Sequence, residues 1–402
     1  MSGRWLSIVG IGEDGLDGLS PIARTIVDGA ELLAGGVRHL ALIPTGSAER
    51  MVWTSPFADN LDRLAGWRGR RVCVLASGDP MWFGVGATLA RQFGAEQIRV
   101  IPHPGAFSLA AARLGWALHE ARCLSIHGRA FESVLPHLTP GAKLLLLAED
   151  GSSAARLASR LIAMGLEETR IDVFEHLDGP TERRHTATAA QWTMARTEDL
   201  NTIALTLPDR WNGLPPLACV PGLPDDAFRH DGQLTKREVR AATLAALSPW
   251  PGAHLWDVGA GCGSIAVEWC RAGGTASAIE QDAERCSMIA NNALTLGVPY
   301  LDLHRGAAPG ILSEITRAPD ALFIGGGLTA PGVLDASWSA LRSGGRMVAN
   351  AVTSEGEARL LAWQKQAGGS LIRLSVSRLQ ATGRFHSWHP LMPVTQYSGL
   401  KP

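Results

Sequence analysis

The stretch LWDVGAGCGSIAVEWC, residues 255–270, limits what this chain can fold into more than any other. A short apolar run ends at Val258, and glycines follow at alternate positions: Gly259, Gly261 and Gly263. Glycine tolerates positive φ and close backbone approach, so the pattern reads as strand, glycine loop, helix. In a doubly wound α/β sheet such a loop borders the ligand crevice at the carboxyl ends of the strands.

The spacing bears on which nucleotide lies there. A dinucleotide fingerprint, G-x-G-x-x-G, aims a helix N-terminus at a pyrophosphate and needs a third glycine at position 264, which is Ser264. The observed D-x-G-x-G-x-G, opening at Asp257, offers a flat loop instead, against which S-adenosylmethionine (SAM) can lie. Glu280, ending the apolar run TASAIE, can accept the ribose hydroxyls, although NAD enzymes place an acid there too.

Around the loop, apolar runs alternate with helical stretches. Residues 235–247 read as a helix, HLWDVG as a strand, 264–271 as a helix, TASAIE as a strand and 282–296 as a helix. LDLHRG, DALFIGG, RMVANAV, SLIRLSVSRL and MPVTQYS follow as strands. This is a doubly wound, Rossmann-like sheet of about seven strands. The front alternates as well: LSIVG, RVCVLAS and IRVI, then CLSIHG, KLLLLAE, IDVFEHL and NTIALTL. It reads as two α/β subdomains without mutual sequence similarity. Between front and back lies PDRWNGLPPLACVPGLPDD, whose prolines suit neither helices nor central strands. The expected division is a front domain over 1–207, a linker over 208–224 and a back domain over 225–402.

At 402 residues and 46% hydrophobic, each part can bury a core. A net charge of −1 argues against a nucleic-acid binder; Arg68–Arg71 and Arg183–His185 read as solvated surface turns. Six cysteines without a C-x-x-C pair suit reduced thiols in a cytoplasm. No H-E-x-x-H or Cys/His cluster appears, and His386 and His389 lack an evident third ligand, so no metal site is expected. No apolar run is long enough to cross a membrane, and the N-terminal apolar stretch is too short for a signal peptide.

The Gly-Gly turn of LRSGGRMVANAV and the glycine-ended DALFIGGG resemble the class I SAM-dependent methyltransferases. GLPDDAF, LTKREVR, DVGAGCG, RGAAP and ANAVTSE together resemble their decarboxylating precorrin branch. The resemblance implies that Thr235 borders the cofactor. It implies that Gly259, Ala260, Gly261, Cys262, Gly263 and Glu280 hold SAM, with Ala307 and Ala308 near the adenine. Ala307 replaces an aspartate of that family, and Met392-Pro393-Val394 stands for its N-P-V. The front segments VGIGEDGLDGLSPIA, ASGDPMWFGVG and HPGAFSLAAARLGW resemble the tetrapyrrole methylases, a different fold that also uses SAM. The matching positions are Gly10 and Gly12, the turn Gly78-Asp79-Pro80, and Ser108; Glu13 and Asp14 replace a usual Pro-Gly.

The fusion resembles the decarboxylating C5,15-methyltransferases of cobalamin biosynthesis. That implies two SAM sites per chain, a precorrin substrate and a homo-oligomer, dimer or tetramer. It implies C5 methylation at the front, and C15 methylation with loss of the C12 acetate carboxyl at the back. Methyl transfer needs alignment more than a protein nucleophile, which suits a chain with no Ser-His-Asp signature. Substrate carboxylates need cationic anchors. Lys236 and Arg384 are the first candidates, with Arg237 and Arg240 beside Lys236, and His127 and Arg129 in front. Three alternatives remain: a front domain that only presents substrate, a back domain methylating protein or RNA, and an NAD dehydrogenase.

Overall fold

The structure, a computed structural model, describes residues 4–210 and 217–402. They fall into two units, one of residues 4–129 with 137–210 and one of residues 130–136 with 217–402.

The front unit contains two five-stranded sheets. The first is parallel throughout, in the order Glu49–Val52, Leu32–Gly35, Val72–Ser77, Leu6–Ile11, Ile98–Ile101. Leu6, Ile8, Val9, Val72, Val74 and Leu75 are buried, as central parallel strands covered on both faces require. The second sheet runs Ala121–Ser125, Lys143–Leu147, Asn201–Thr206, Arg170–Glu175, Arg183–Thr188. Only its first pair is parallel.

Three of these strands escape the sequence reading. Leu32–Gly35 and Glu49–Val52 have four residues each, too short to show a period. Arg183–His185 is not a turn but the start of the edge strand Arg183–Thr188. Its charge is spent on buried carboxylates: Arg184 Nη2 donates to Asp172 Oδ1 at 2.9 Å, and His185 Nε2 lies 3.3 Å from Glu175 Oε2. Charged side chains also suit an edge strand, which must not pair further.

The back unit is a seven-stranded sheet. Its order is Asp302–Arg305, Thr275–Glu280, His254–Val258, Ala321–Ile324, Arg346–Ala351, Val394–Leu400, Ser370–Leu374. The first five are parallel, and Val394–Leu400 runs antiparallel to both its neighbours. Helices Arg237–Leu247, Ser264–Arg271, Ala283–Thr295, Val333–Ala340 and Ser354–Ala367 accompany it. Trp256 and Trp269 are fully buried in its core.

The run SLIRLSVSRL is not one strand. It breaks after Leu374, and Ser377–Thr382 pairs instead with Phe385–Pro390 as a separate hairpin. Gly383, at φ +59°, lets a two-residue turn join Thr382 to Phe385. The stretch ATGRFHSWHP therefore belongs to this hairpin, not to a loop.

The proline-rich stretch is less of a linker than it reads. Gly141 N–H donates to Pro208 O within the front unit. Arg271 Nη2 donates to Leu217 O at 2.7 Å, and the Gly222 and Leu223 N–H groups donate to Glu268 at 2.6 and 3.1 Å. Leu217 onward is thus bonded to the back unit. The remaining part of the expected linker, 211–216 with Pro215 and Pro216, lies outside the described residues.

Candidate active sites

In the back unit the buried strand His254–Val258 delivers the glycine loop. Gly259 and Ala260 N–H both donate to Ile279 O at 3.0 Å. Gly259 has φ +69°, and a Cβ there would sit 2.6 Å from the backbone of Gly326. The glycines of DALFIGGG therefore let two strand-end loops touch backbone to backbone. Gly263, φ +79°, caps the helix Ser264–Arg271 and backs onto Ile289. Gly261 differs: the nearest atom to a Cβ there is Gln233 O at 3.7 Å, so its face is the open one.

Glu280 organises this loop. It is buried, and its Oε2 accepts from Gly261 N–H at 2.9 Å while Oε1 accepts from Gln281 and Asp282 N–H at 2.9 and 3.0 Å. A carboxylate has about four lone-pair sites, so roughly one, on Oε2, is left for a ribose hydroxyl. Asp257, the first residue of the motif, received no role from the sequence. It is 1% exposed; Oδ2 accepts from Ala266 N–H at 3.0 Å, and Oδ1 has no partner. Burial, with the nearby Glu280 charge adding to it, pushes its carboxyl up to about 7.

These two carboxylates choose the ligand class. A pyrophosphate at this helix end would meet Asp257 already holding the Ala266 N–H, with Glu280 beside the loop. The sulfonium and ammonium of SAM are cations and gain from both. With Ser264 in place of the third glycine of a dinucleotide loop and the Ala266 N–H already taken by Asp257, the residues fit SAM.

Other candidates surround the loop unevenly. Thr235 and Lys236 continue the segment whose Gln233 O approaches Gly261, and Lys236 is the N-cap of helix Arg237–Leu247. Arg240 is no substrate anchor. It is fully buried: its Nε donates to Glu268 Oε1 at 2.5 Å, Nη1 to Asp225 Oδ1 at 3.2 Å, and Nη2 to Leu223 O. Glu268 is itself buried and demands a cationic partner. Gly306 N–H donates to Glu280 O at 3.0 Å, which brings Ala307 and Ala308 beside Glu280; Ala307 is exposed and Ala308 packs on the core. Cys262 is buried, its thiol pushed up by desolvation, and Asn292 Nδ2 donates to its carbonyl. Arg384 is exposed on the hairpin turn, its guanidinium 5.1 Å from the Phe385 ring centroid.

In the front unit, three loops meet at the carboxyl ends of adjacent parallel strands. Gly78 N–H donates to Ile11 O, and His103 N–H donates to Gly78 O, both at 3.1 Å. A Cβ on Gly10 would overlap Gly78 O, and one on Gly78, φ +52°, would lie 2.5 Å from Gly105 Cα. The glycines are thus required by mutual contact. Asp79 Oδ1 accepts from Met81 N–H at 2.9 Å, and buried Pro80 accepts Gly86 N–H through its carbonyl. Beyond this turn Met81, Trp82 and Phe83 are exposed in a row, and the Arg129 guanidinium lies 5.1 Å from the Phe83 ring centroid. Ser108 is exposed on the first turn of helix Ala106–Leu114. His127 N–H donates to Ser125 Oγ at 3.3 Å. Glu13, Arg38, His39, Ser77 and His176 form a connected polar group here that the sequence reading missed, apart from noting Glu13 as unusual. Among the described residues, Asp14, His103 and Asp178 bring ligand-type atoms within 4.8 Å of one another, but Arg113 Nη2 already bonds Asp178 at 3.2 Å.

Two glycine-lined crevices lie on two different α/β folds, and each fold matches a methyltransferase family. The family described as tetrapyrrole (corrin/porphyrin) methylases matches residues 6–193, and that described as precorrin methyltransferase domain matches residues 226–401. A precorrin-6Y C(5,15)-methyltransferase [decarboxylating] from Sinorhizobium sp is 46% identical, over 99% of this chain and 96% of the relative. A cobalt-precorrin-7 C(5)-methyltransferase of Salmonella typhimurium is 33% identical, over 45% of this chain and 89% of its own. A probable cobalt-precorrin-6B C(15)-methyltransferase (decarboxylating) of Saccharolobus solfataricus is 36% identical, over 34% of this chain and 72% of its own. The chain belongs to the family of decarboxylating precorrin-6Y C5,15-methyltransferases. It is a SAM-dependent methyltransferase and a decarboxylase.

Proposed function

We propose that the chain binds SAM at both crevices and methylates precorrin-6Y (precorrin-6B) at C5 and C15, with decarboxylation of the C12 acetate, giving precorrin-8. The front unit methylates C5; the back unit methylates C15 and decarboxylates. The observation that carries this is the pair of crevices, each at the carboxyl ends of parallel strands and each lined by close-packed glycines. Relatives named for the C5 and the C15 reaction separately each cover under half of this chain, which supports dividing the work.

SAM supplies an electrophilic methyl, and the electron-rich macrocycle carbon is the nucleophile. The protein aligns the two. In front, exposed Trp82 and Phe83 offer a flat apolar wall for the macrocycle, and Arg129 a cation for a carboxylate. Gly10, Gly78, Asp79, Pro80 and Ser108 border the cofactor. At the back, Asp257 and Glu280 hold the cationic cofactor over Gly261, and Thr235, Ala307 and Ala308 line it. Lys236 anchors a substrate carboxylate, with Arg384 reaching from its hairpin. When the C12 acetate loses CO2, the C–C electron pair passes into the conjugated ring.

Six free thiols suit a reducing cytoplasm, and no helix among the described residues is long and apolar enough to cross a membrane. A homo-oligomer would cover the exposed Leu379, Phe385, Trp388 and Met392 in and beside the hairpin. Anaerobic incubation with SAM and precorrin-6B, followed by mass spectrometry, tests the reading. Two methyl gains with one CO2 lost are expected; a single methyl gain, or one SAM bound per chain by calorimetry, refutes the two-site form.

A further inference from the structure

Glu13 stands where the tetrapyrrole methylases usually carry proline, and the structure gives it a use. Its Oε1 accepts from Arg38 Nη1, and its Oε2 lies 3.1 Å from His176 Nδ1. Arg38 Nη2 lies 2.8 Å from Ser77 Oγ and 3.0 Å from His39 Nε2. Ser77 Oγ is 2.8 Å from the same His39 Nε2. The side chains come from separate places in the chain: the loop after Leu6–Ile11, the helix Val37–Ala41, the last residue of Val72–Ser77, and the loop after Arg170–Glu175. Ser77 is exposed and directly precedes the Gly78-Asp79-Pro80 turn.

The hydrogen bonding sets the state of His39. A guanidinium only donates, so Nε2 facing Arg38 is an acceptor and the ring is neutral, with its proton on Nδ1. Burial first, and the Arg38 charge second, push the imidazole down to about 4, with Glu13 opposing. His39 is therefore an unprotonated acceptor, with the exposed Ser77 Oγ 2.8 Å from its Nε2.

Methylation at a trigonal C–H carbon needs such a group. The ring's electron pair forms the new C–CH3 bond, and the S–CH3 pair stays on sulfur. The C–H bond then breaks, its pair returns to the conjugated system, and one proton must leave. We propose that Ser77 and His39 take the proton released at the carbon methylated in the front unit, with Arg38 and Glu13 as positioning residues. The proton moves from the ring carbon through the Ser77 hydroxyl to His39 Nε2, whose lone pair is freed as Arg38 Nη2 donates to Ser77 Oγ instead, 2.8 Å away. The weakly basic imidazole returns it to solvent between turnovers. This rests on the reading that the front unit methylates C5.

The test uses the full chain with SAM and substrate carrying deuterium or hydrogen at C5. In His39→Asn and Ser77→Ala, kcat for C5 methylation should fall about 100-fold or more. SAM should still bind twice per chain, and a primary isotope effect absent from the wild type should emerge as C–H cleavage becomes limiting. Glu13→Gln and Arg38→Lys should show a smaller kcat loss with the same isotope signature. C15 methylation and CO2 loss in the same samples report an intact fold. Wild-type C5 rates in His39→Asn overturn the proposal. So does a rate loss without an isotope effect but with one SAM site missing, which marks a merely structural residue. A wild-type chain that does not methylate C5 sinks the front-site reading itself, and this inference with it.

Discussion

The two crevices are built by opposite means. The front one is made where three strand-end loops interlock through Gly10, Gly78 and Gly105, and its polar side chains pair with one another, Glu13 with Arg38 and His176. The back one hangs a single glycine loop on one buried carboxylate, Glu280, and leaves a second, Asp257, with an unpartnered oxygen. In front, Glu13 is already paired with Arg38 and His176. At the back, the buried Asp257 keeps an unpartnered oxygen and a carboxyl pushed up to about 7. Cofactor binding should therefore depend on charge and pH far more at the back than at the front.

The largest expected effect separates the units altogether. Arg240→Met strips the buried Glu268 of its cation, and the back unit should lose about 3–5 kcal/mol of stability. Denaturation followed by the buried tryptophans Trp256 and Trp269 reads this, and C5 methylation should persist. If C5 methylation vanishes as well, the two crevices are not independent.

Glu280→Ala removes the acceptor of three loop N–H groups and the ribose contact. SAM affinity at the back site should weaken by about 1.5–3 kcal/mol, with the front site unchanged by calorimetry. Unchanged affinity at the back would remove Glu280 from the cofactor site.

Asp257 gives the comparison its pH signature. Its folded pKa, about 7, lies above its ordinary value, so the stability it contributes is complete below about pH 4 and is lost as pH rises through 7. A cationic ligand favours the ionised form, so SAM binding near pH 7 should release a proton at the back site. Calorimetry in buffers of different ionisation enthalpy measures that release, and Asp257→Asn should abolish it.

The smallest effect is expected from Asp79→Ala. It loses one turn hydrogen bond, to Met81 N–H, worth about 1 kcal/mol, and should slow C5 methylation alone. Loss of decarboxylation as well would couple the two sites.

Much of this was legible in the chain. The alternate glycines with a preceding Asp257 marked the loop, and apolar runs marked the central strands His254–Val258, Thr275–Glu280, Ala321–Ile324 and Arg346–Ala351, because a buried parallel strand must be apolar along its length. The failures share a cause. Arg240 and Arg183–His185 look like any surface cations, since a charge pattern does not reveal that Glu268, Asp172 and Glu175 are buried opposite them. Nor does it show that Arg384 lies on a hairpin turn rather than in a loop.

The sequence by itself determined the two folds, the order of the units and the family. These depend on local patterns of apolar residues and glycines that any short stretch carries. Only the tertiary structure decided which glycines have an open face, which carboxylates lack a partner and which four side chains gather around Glu13. Each of those depends on distant segments meeting at the ends of strands, and on how much water their meeting excludes.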